Sequence, residues 1–296
     1  MAPSSTQTPA LSCTNPTSGF EAALSQRAVL LPQHIGQTFQ LSRYPVGESL
    51  APWAEFHWIV EWDLPEADCH LQQVLPYPNA NLAFEAGQTA IHGPSHGLFT
   101  RELRGRGRVH GLRFKCGGLR PWIECPMSAL RDTVVPAIHC MPHGSDIARI
   151  EAQVLNAAHH DEAIARVEAV LSERRPPFDP WVERLDTAVH TIQEDRDITT
   201  TRALLQRLNL CERAMQRVFS NYLGVTPKWL IQRARIHDAL QCLAVEHETP
   251  LVQIGARLGF FDQAHFTRCF RQHTGQSPQQ YREALRTESR VRSIRE

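Results

Sequence analysis

The 296-residue chain has no long hydrophobic run, no closely spaced cysteine pair and no excess charge of either sign. No stretch approaches the roughly 18 consecutive apolar residues of a membrane span, so no membrane-embedded segment is expected. The first 26 residues contain no Lys or Arg. They therefore lack the basic start of a secretory leader and, rich in Pro, Ser and Thr, read as part of a disordered tail over residues 1–34. The eight cysteines never form a C-x-x-C pair, which argues against a zinc finger or a disulfide framework. A reduced, cytoplasmic setting is expected. Formal net charge is zero, which excludes a uniformly basic nucleic-acid coat.

The charge that is present is local. Arg202, Arg207, Arg213, Arg217, Lys228, Arg233 and Arg235 are interrupted by one acid, Glu212. Arg257, Arg268, Arg271 and Arg282 are interrupted only by Asp262. Such runs are the footprint expected where phosphates are met. Both fall on a repeat. Arg217 and Arg268, Phe219 and Phe270, Gly224 and Gly275, and Pro227 and Pro278 are each offset by 51. Upstream, Leu204 and Ile254, Leu208 and Leu258, and Asn209 and Gly259 are offset by 50. A one-residue slip in the turn between two helices is the length change that does least harm. The pattern predicts two helix-turn-helix units, able to read successive stretches of major groove.

The predicted fold class is α+β. Residues 35–125 read as β-rich, with short strand candidates punctuated by Gly, Pro and Asn, as in a small barrel or sandwich. Glu55–Trp62 alternates, placing Phe56, Trp58, Val60 and Trp62 on one face and Glu55, His57 and Glu61 on the other. Residues 126–175 read as a helical connector, with Met127–Asp132 a short helix and Asp146–His159 and Glu162–Glu173 clearer ones. An apolar stripe in the last suggests packing on the β-domain and a homodimer contact. Arg174–Pro180 reads as an inter-domain linker and pivot, since consecutive prolines disfavour helix before them. Beyond it, Trp181–Glu194 opens an all-α domain, Asn209 suits a left-handed helix end, and Thr226-Pro227 starts a linking helix of about 20 residues. Thr249–Leu258 and Asp262–His273 form the second unit. A closing helix begins at Ser277, and residues 287–296 form a basic tail.

On the first unit, Arg213, Gln216 and Arg217 share one helix face, opposite Met215, Val218 and Phe219. Arg can pair with guanine O6 and N7, and Gln with adenine N6 and N7. On the second unit the corresponding face is Gln263, Ala264, Thr267 and Arg268, with Ala264 and the Thr267 methyl suited to thymine methyls. The expected partner is double-stranded DNA.

Residues 180–286 resemble the DNA-binding domain of the AraC/XylS family of bacterial transcription regulators. Ile254–Phe270, Gly275-Gln276-Ser277-Pro278 and Tyr281-Arg282 carry the likeness. The first unit departs from the family pattern, with Leu205 for the usual Ala, Asn209 for Gly and Cys211 for the Ser that caps the reader helix; Gly255 likewise replaces Ala. Residues 40–125 are similar to a sensor-like domain found before it, through Val74-Leu75-Pro76, Asn81–Phe84 and Gly111–Gly118. The resemblance implies a cupin-like β-domain that binds a small-molecule effector or dimerises, and RNA polymerase as a further partner. Trp58, Phe84 and His110 are candidates to line its interior and touch an effector; a plain packed core is the alternative. Cys116, Cys125 and Cys140 read as small buried hydrophobes, with oxidant sensing the alternative. No catalytic residue, cofactor or metal is expected, because His92-Gly93-Pro94-Ser95-His96 does not have the His-x-His spacing of cupin metal sites. The competing reading is a cupin-type metalloenzyme, with a metal held through His57, His92, His96 or His110, fused to a DNA-targeting domain.

Overall fold

The computed structural model describes residues 38–195, 198–246 and 248–295, with side chains through 287. The tail expected over 1–34 lies outside the described residues. Strands β1 (Gln40–Pro45), β2 (Ala54–Asp63), β4 (Asn81–Phe84), β5 (Ala90–His92), β7 (Arg106–Phe114) and β8 (Val134–Pro136) form an antiparallel sheet in the order β1-β2-β7-β4-β5-β8. Strands β3 (Cys69–Val74) and β6 (Phe99–Arg104) pair separately as a ribbon.

Register assigns the faces, because directly paired residues point to the same side. Ile59 pairs with His110, His57 with Leu112, Leu82 with Leu112 and Phe84 with His110. These six side chains are buried together on the core face. Trp58, a candidate to line the interior, therefore faces the other way: Phe56, Trp58, Val60 and Trp62 lie half-buried on the opposite face. The cause is on the neighbouring strand. Trp58 and Trp62 lie across Gly111 and Gly107, where an added Cβ would sit 2.0 Å and 2.2 Å from the rings. Large indoles fit flat there because the partner residue has no side chain.

The connector covers the core face. It comprises α1 (Ala137–Cys140), α2 (Gly144–Arg149), α3 (Glu151–Leu155) and α4 (His160–Glu173). The single helix expected over 146–159 is broken at Ile150 and Asn156, which turns Ile147, Val154 and Ala157 onto the sheet core. Met127–Ala129 is only a 3-10 turn. Ala163, Val167 and Leu171 of α4 pack with Leu82, Phe84, Ile91 and Leu112. Of the stripe that suggested a homodimer, Val167 and Leu171 are buried in the chain's own core, while Val170 and Ile164 remain half-buried. The cysteines do not cluster as a group, since Cys116 joins a separate core from Cys125 and Cys140. Burial raises the Cys116 thiol well above its ordinary range and pushes Cys140 up to about 11.

The C-terminal half is helical: α5 (Pro180–Glu194), α6 (Thr201–Leu208), α7 (Glu212–Val218), α8 (Pro227–Val245), α9 (Leu251–Arg257), α10 (Gln263–Thr274) and α11 (Pro278–Arg295). Helix α11 runs on to Arg295, so residues 287–295 continue a helix where a separate tail was expected. The linker is tied down. Asp179 accepts from the Trp181 backbone N–H at 3.0 Å and from the Tyr222 hydroxyl at 2.6 Å, which argues against a free pivot. Thr226 caps α8 through the Trp229 N–H, with Pro227 in the first turn. On one side, Leu230, Ile231 and Ala234 join the core of the first unit; on the other, Ile236, Ala239, Leu240 and Leu243 join that of the second. Each such Leu or Ile contributes about 1.5–3 kcal/mol by leaving water. The β-domain docks on the same helix. Leu75 enters the second unit's core, and Tyr77 stacks on His237 at 4.0 Å.

The repeat is visible in the backbone. Asn209 and Gly259, at φ 51° and 74°, end the first helix of each unit, and Gly224 and Gly275, at φ 69° and 76°, end the reader segments. The helix starts differ. Asp262 accepts from the His265 N–H at 2.6 Å, whereas Cys211 caps α7 with no side-chain bond. Cys211→Ser should therefore raise unfolding stability by about 1 kcal/mol, and Asp262→Ala should lower it by about the same. Chemical denaturation of the full chain measures both; a Cys211→Ser protein no more stable than wild type would show that the first turn of α7 is already satisfied.

Candidate nucleic-acid interface

In each unit one helix is buried on its inner side and open on its outer side. Met215, Val218 and Phe219 anchor the first reader, leaving Arg213, Gln216 and Arg217 exposed. Phe266, Cys269 and Phe270 anchor the second, leaving Gln263, Ala264 and Arg268 exposed and Thr267 half-buried. The register of apolar residues brings together, unit by unit, the seven residues singled out from the sequence. A shallow hollow opens along α10, lined by Gln263, Ala264, Thr267, Arg268, Arg271 and Gln272. The Gln216 amide donates to Glu212 at 3.2 Å, so an acid on the same helix holds it in the absence of a partner.

The basic runs divide by use. Arg202, Arg207, Arg213, Arg217 and Lys228 are exposed, as are Arg268 and Arg271. Others are consumed internally. Arg235 donates to the Thr199 carbonyl at 2.9 Å and lies over the Phe260 ring, Arg282 donates to the Thr249 carbonyl at 2.7 Å, and Arg257 pairs with Glu246 at 2.6 Å. Arg233 is fully buried. It lies over the Trp229 ring at 4.6 Å and donates to the His96 carbonyl at 2.5 Å, tying α8 to the loop after β5. Burial lowers this guanidinium to about 9, and its Nε and Nη1 have no acceptor. A cation held in that way is a structural tie and is not available to a phosphate.

The candidate effector residues do not converge. Phe84 and His110 are fully buried on the core face, while Trp58 is on the other, where its indole N–H donates to Asn81 at 3.0 Å. Parity along β2 separates them: Trp58 neighbours His57 and Ile59, both of which point inward. The four histidines considered as metal ligands also do not form one cluster among the described residues. His57 meets His110, whereas His96 pairs with Asp132 at 2.8 Å.

Sequence inspection missed a buried polar chain beneath α4. Glu168 accepts from the Gly47 N–H at 2.6 Å and from His57 Nε2 at 3.1 Å, and His57 Nδ1 is 3.0 Å from His110 Nε2. If His57 donates to the carboxylate, its Nδ1 must accept, so His110 donates through Nε2. His110 Nδ1 is then a bare lone pair, buried without a partner. Burial lowers His110 to about 3, with His57 adding to the effect. A second chain lies alongside: His160 bonds the Tyr44 hydroxyl at 2.7 Å and Glu61 at 2.9 Å, and Arg108 pairs with Glu61 at 2.6 Å. The pairing His57↔Leu112 and Ile59↔His110 was the available signal, but it needs the strand register.

Two family matches cover separate parts of the chain. Residues 204–284 match a helix-turn-helix domain, and residues 42–136 match a domain of unknown function (DUF6597). The arabinose operon regulatory protein of Escherichia coli (strain K12) is 27% identical over 157 residues, 48% of this chain and 51% of that protein. The HTH-type transcriptional regulator Rv1931c of Mycobacterium tuberculosis is 38% identical over 82 residues, 28% of this chain and 31% of that protein. The chain therefore spans about half or less of the length of these curated relatives. A solved structure of ToxT from Vibrio cholerae, 14% identical, aligns over 83% of this chain and 98% of its own with a TM-score of 0.36.

The buried histidines set an acid response. His110 and His273 each fall to about 3 from an ordinary 6.5, chiefly through burial, and His57 and His92 are lowered for the same reason. Below pH 6.5 the unfolded chain binds protons that the folded chain refuses, so acid favours unfolding. Stability should be complete above about pH 6.5 and fall as pH drops towards about 3. Urea unfolding at pH 7.5 and pH 5 should show the loss, and His110→Gln should make it smaller. An unchanged pH slope in a folded His110→Gln protein would place the acid response elsewhere.

Proposed function

We propose that the C-terminal domain of this chain is a double helix-turn-helix domain of the AraC/XylS type, and that the protein is a sequence-specific DNA-binding transcription regulator. The observation that carries the reading is geometric. Two exposed reader faces, each with arginines that make no ion pair among the described residues, flank one buried helix. Helix α8 has 19 residues, about 28 Å at 1.5 Å per residue. That length approaches the roughly 34 Å repeat of B-DNA, so both readers can enter successive major-groove windows on one side of a duplex. Unpaired arginines are the right groups to displace counterions and to pair bidentately with guanine.

The β-domain is the proposed regulatory part, answering to a small molecule or a partner. Its support is the contact with α8 through Leu75, Tyr77 and the His96 carbonyl, which couples any change in the β-domain to the helix joining the readers. An effector acts there only through unequal affinity for two arrangements of that contact. No helix among the described residues is long and apolar enough to cross a membrane. The proposed setting is the cytoplasm, beside the DNA.

The test is binding to sites selected from random DNA by the full-length protein. Arg268→Ala should cost about 1–3 kcal/mol at the selected site and disturb one half of the footprint, with Arg217→Ala disturbing the other. Equal, sequence-independent weakening by both would assign these arginines to phosphates alone. Failure of the selection to yield any preferred site would overturn the regulator reading.

A further inference from the structure

Phe261 is 92% exposed, the most exposed large hydrophobic side chain among the described residues. It immediately precedes Asp262, the cap of the second reader helix. Its exposure does not come from a loose loop. Phe260, on one side, is 5% exposed and packs against Phe266 with ring centroids 5.0 Å apart. On the other side, Asp262 accepts from the His265 N–H at 2.6 Å while the Phe261 N–H donates back to His265 Nδ1 at 3.4 Å. This is a variant of the capping box, with His in place of the usual Glu or Gln and the reach-back made to the residue before the cap. The backbone is pinned at both ends, and the ring projects from a rigid corner.

The first unit does the opposite at the matching place. Leu210, 51 residues earlier, is half-buried and packs against the core of its own unit. The second unit alone presents an apolar group beside its readers, next to Gln263 and Ala264 in the first turn. Residues at that end of a reader helix are the ones that meet base edges. An exposed aromatic ring gains free energy only when something covers it. In a major groove, whose walls are phosphates and whose floor is hydrogen-bonding edges, the apolar target is the thymine C5 methyl.

We propose that Phe261 is a specificity-determining residue that packs on a thymine methyl at the edge of the second reader's half-site. The inference rests on the DNA-binding reading. Its test is a double-mutant cycle between the full-length protein and a selected DNA site. Each thymine in the half disturbed by Arg268→Ala is replaced in turn by deoxyuridine, which removes the methyl and keeps every hydrogen bond. Wild type should bind about fourfold more weakly at one such position, as expected for one lost methyl contact. Phe261→Ala should lose a similar factor on the thymine site and lose nothing more on the deoxyuridine site, and Phe261→Leu should keep part of the discrimination. Because the side chain is exposed, unfolding of these variants should match wild type. Two results would overturn the proposal. In one, Phe261→Ala binds every site like wild type; if transcription is nevertheless lost, the ring contacts a protein. In the other, Phe261→Ala weakens binding but retains full sensitivity to every deoxyuridine. A selection that produced no site at all would instead sink the DNA-binding reading beneath it.

Discussion

The burial of α8 from three sides is the constraint on which the arrangement of this molecule depends. Its first half closes the core of one reader, its second half closes the core of the other, and the β-domain seals the remaining side. Arg233 shows how tightly that seam is closed, because a guanidinium is held there with two nitrogens lacking acceptors. Such a group is tolerated only where its surroundings define it: the Trp229 ring on one face and the carbonyls of Ser95 and His96 at its tip. Breaking one partner of such a contact costs more than the contact itself contributes, because a charge is then left buried alone. The seam is therefore a unit whose partners depend on one another.

That unit links the two halves of the chain. The loop after β5 meets α8 where the carbonyls of Ser95 and His96 accept from the Arg233 side chain. Further ties run from the β-domain to α5 and to the segment that follows the first reader helix. The Cys116 N–H donates to Asp186 at 3.1 Å, and Arg120 donates to Asn221 at 2.9 Å. The β-domain thus grips the helices that carry the readers while leaving their outer faces open.

Within the β-domain, the same logic of buried polar groups holds the connector. Glu168 and His160, both on α4, reach down to His57 and to Glu61 on β2. Apolar packing by Val167 and Leu171 supplies the area, and the carboxylate and imidazole fix how the helix sits, since each must find its partner or remain unsatisfied. Neutral His110 lies at the inner end of this chain, where protonation would place a charge among Phe84, Ile59 and Leu112.

The sequence by itself determined the reader domain. The offsets of 50 and 51, the left-handed positions at Asn209 and Gly259, the Thr226-Pro227 start and the face shared by Arg213, Gln216 and Arg217 are local features. Helix periodicity and capping depend on residues within a few positions of one another, so they can be read along the chain. Where each arginine ends up could not be read in that way. Arg217 and Arg233 look alike in a charge count, yet one faces solvent and the other is sealed under a loop 138 residues away in sequence. The orientation of β2 was hidden for a related reason. Both faces of that strand carry apolar groups, and only the arrival of α4 over His57 and the glycines under Trp58 and Trp62 decides which is inside. Strand register and domain docking are set by partners distant in the chain. A two-residue period fixes which residues share a face but leaves open which face is covered.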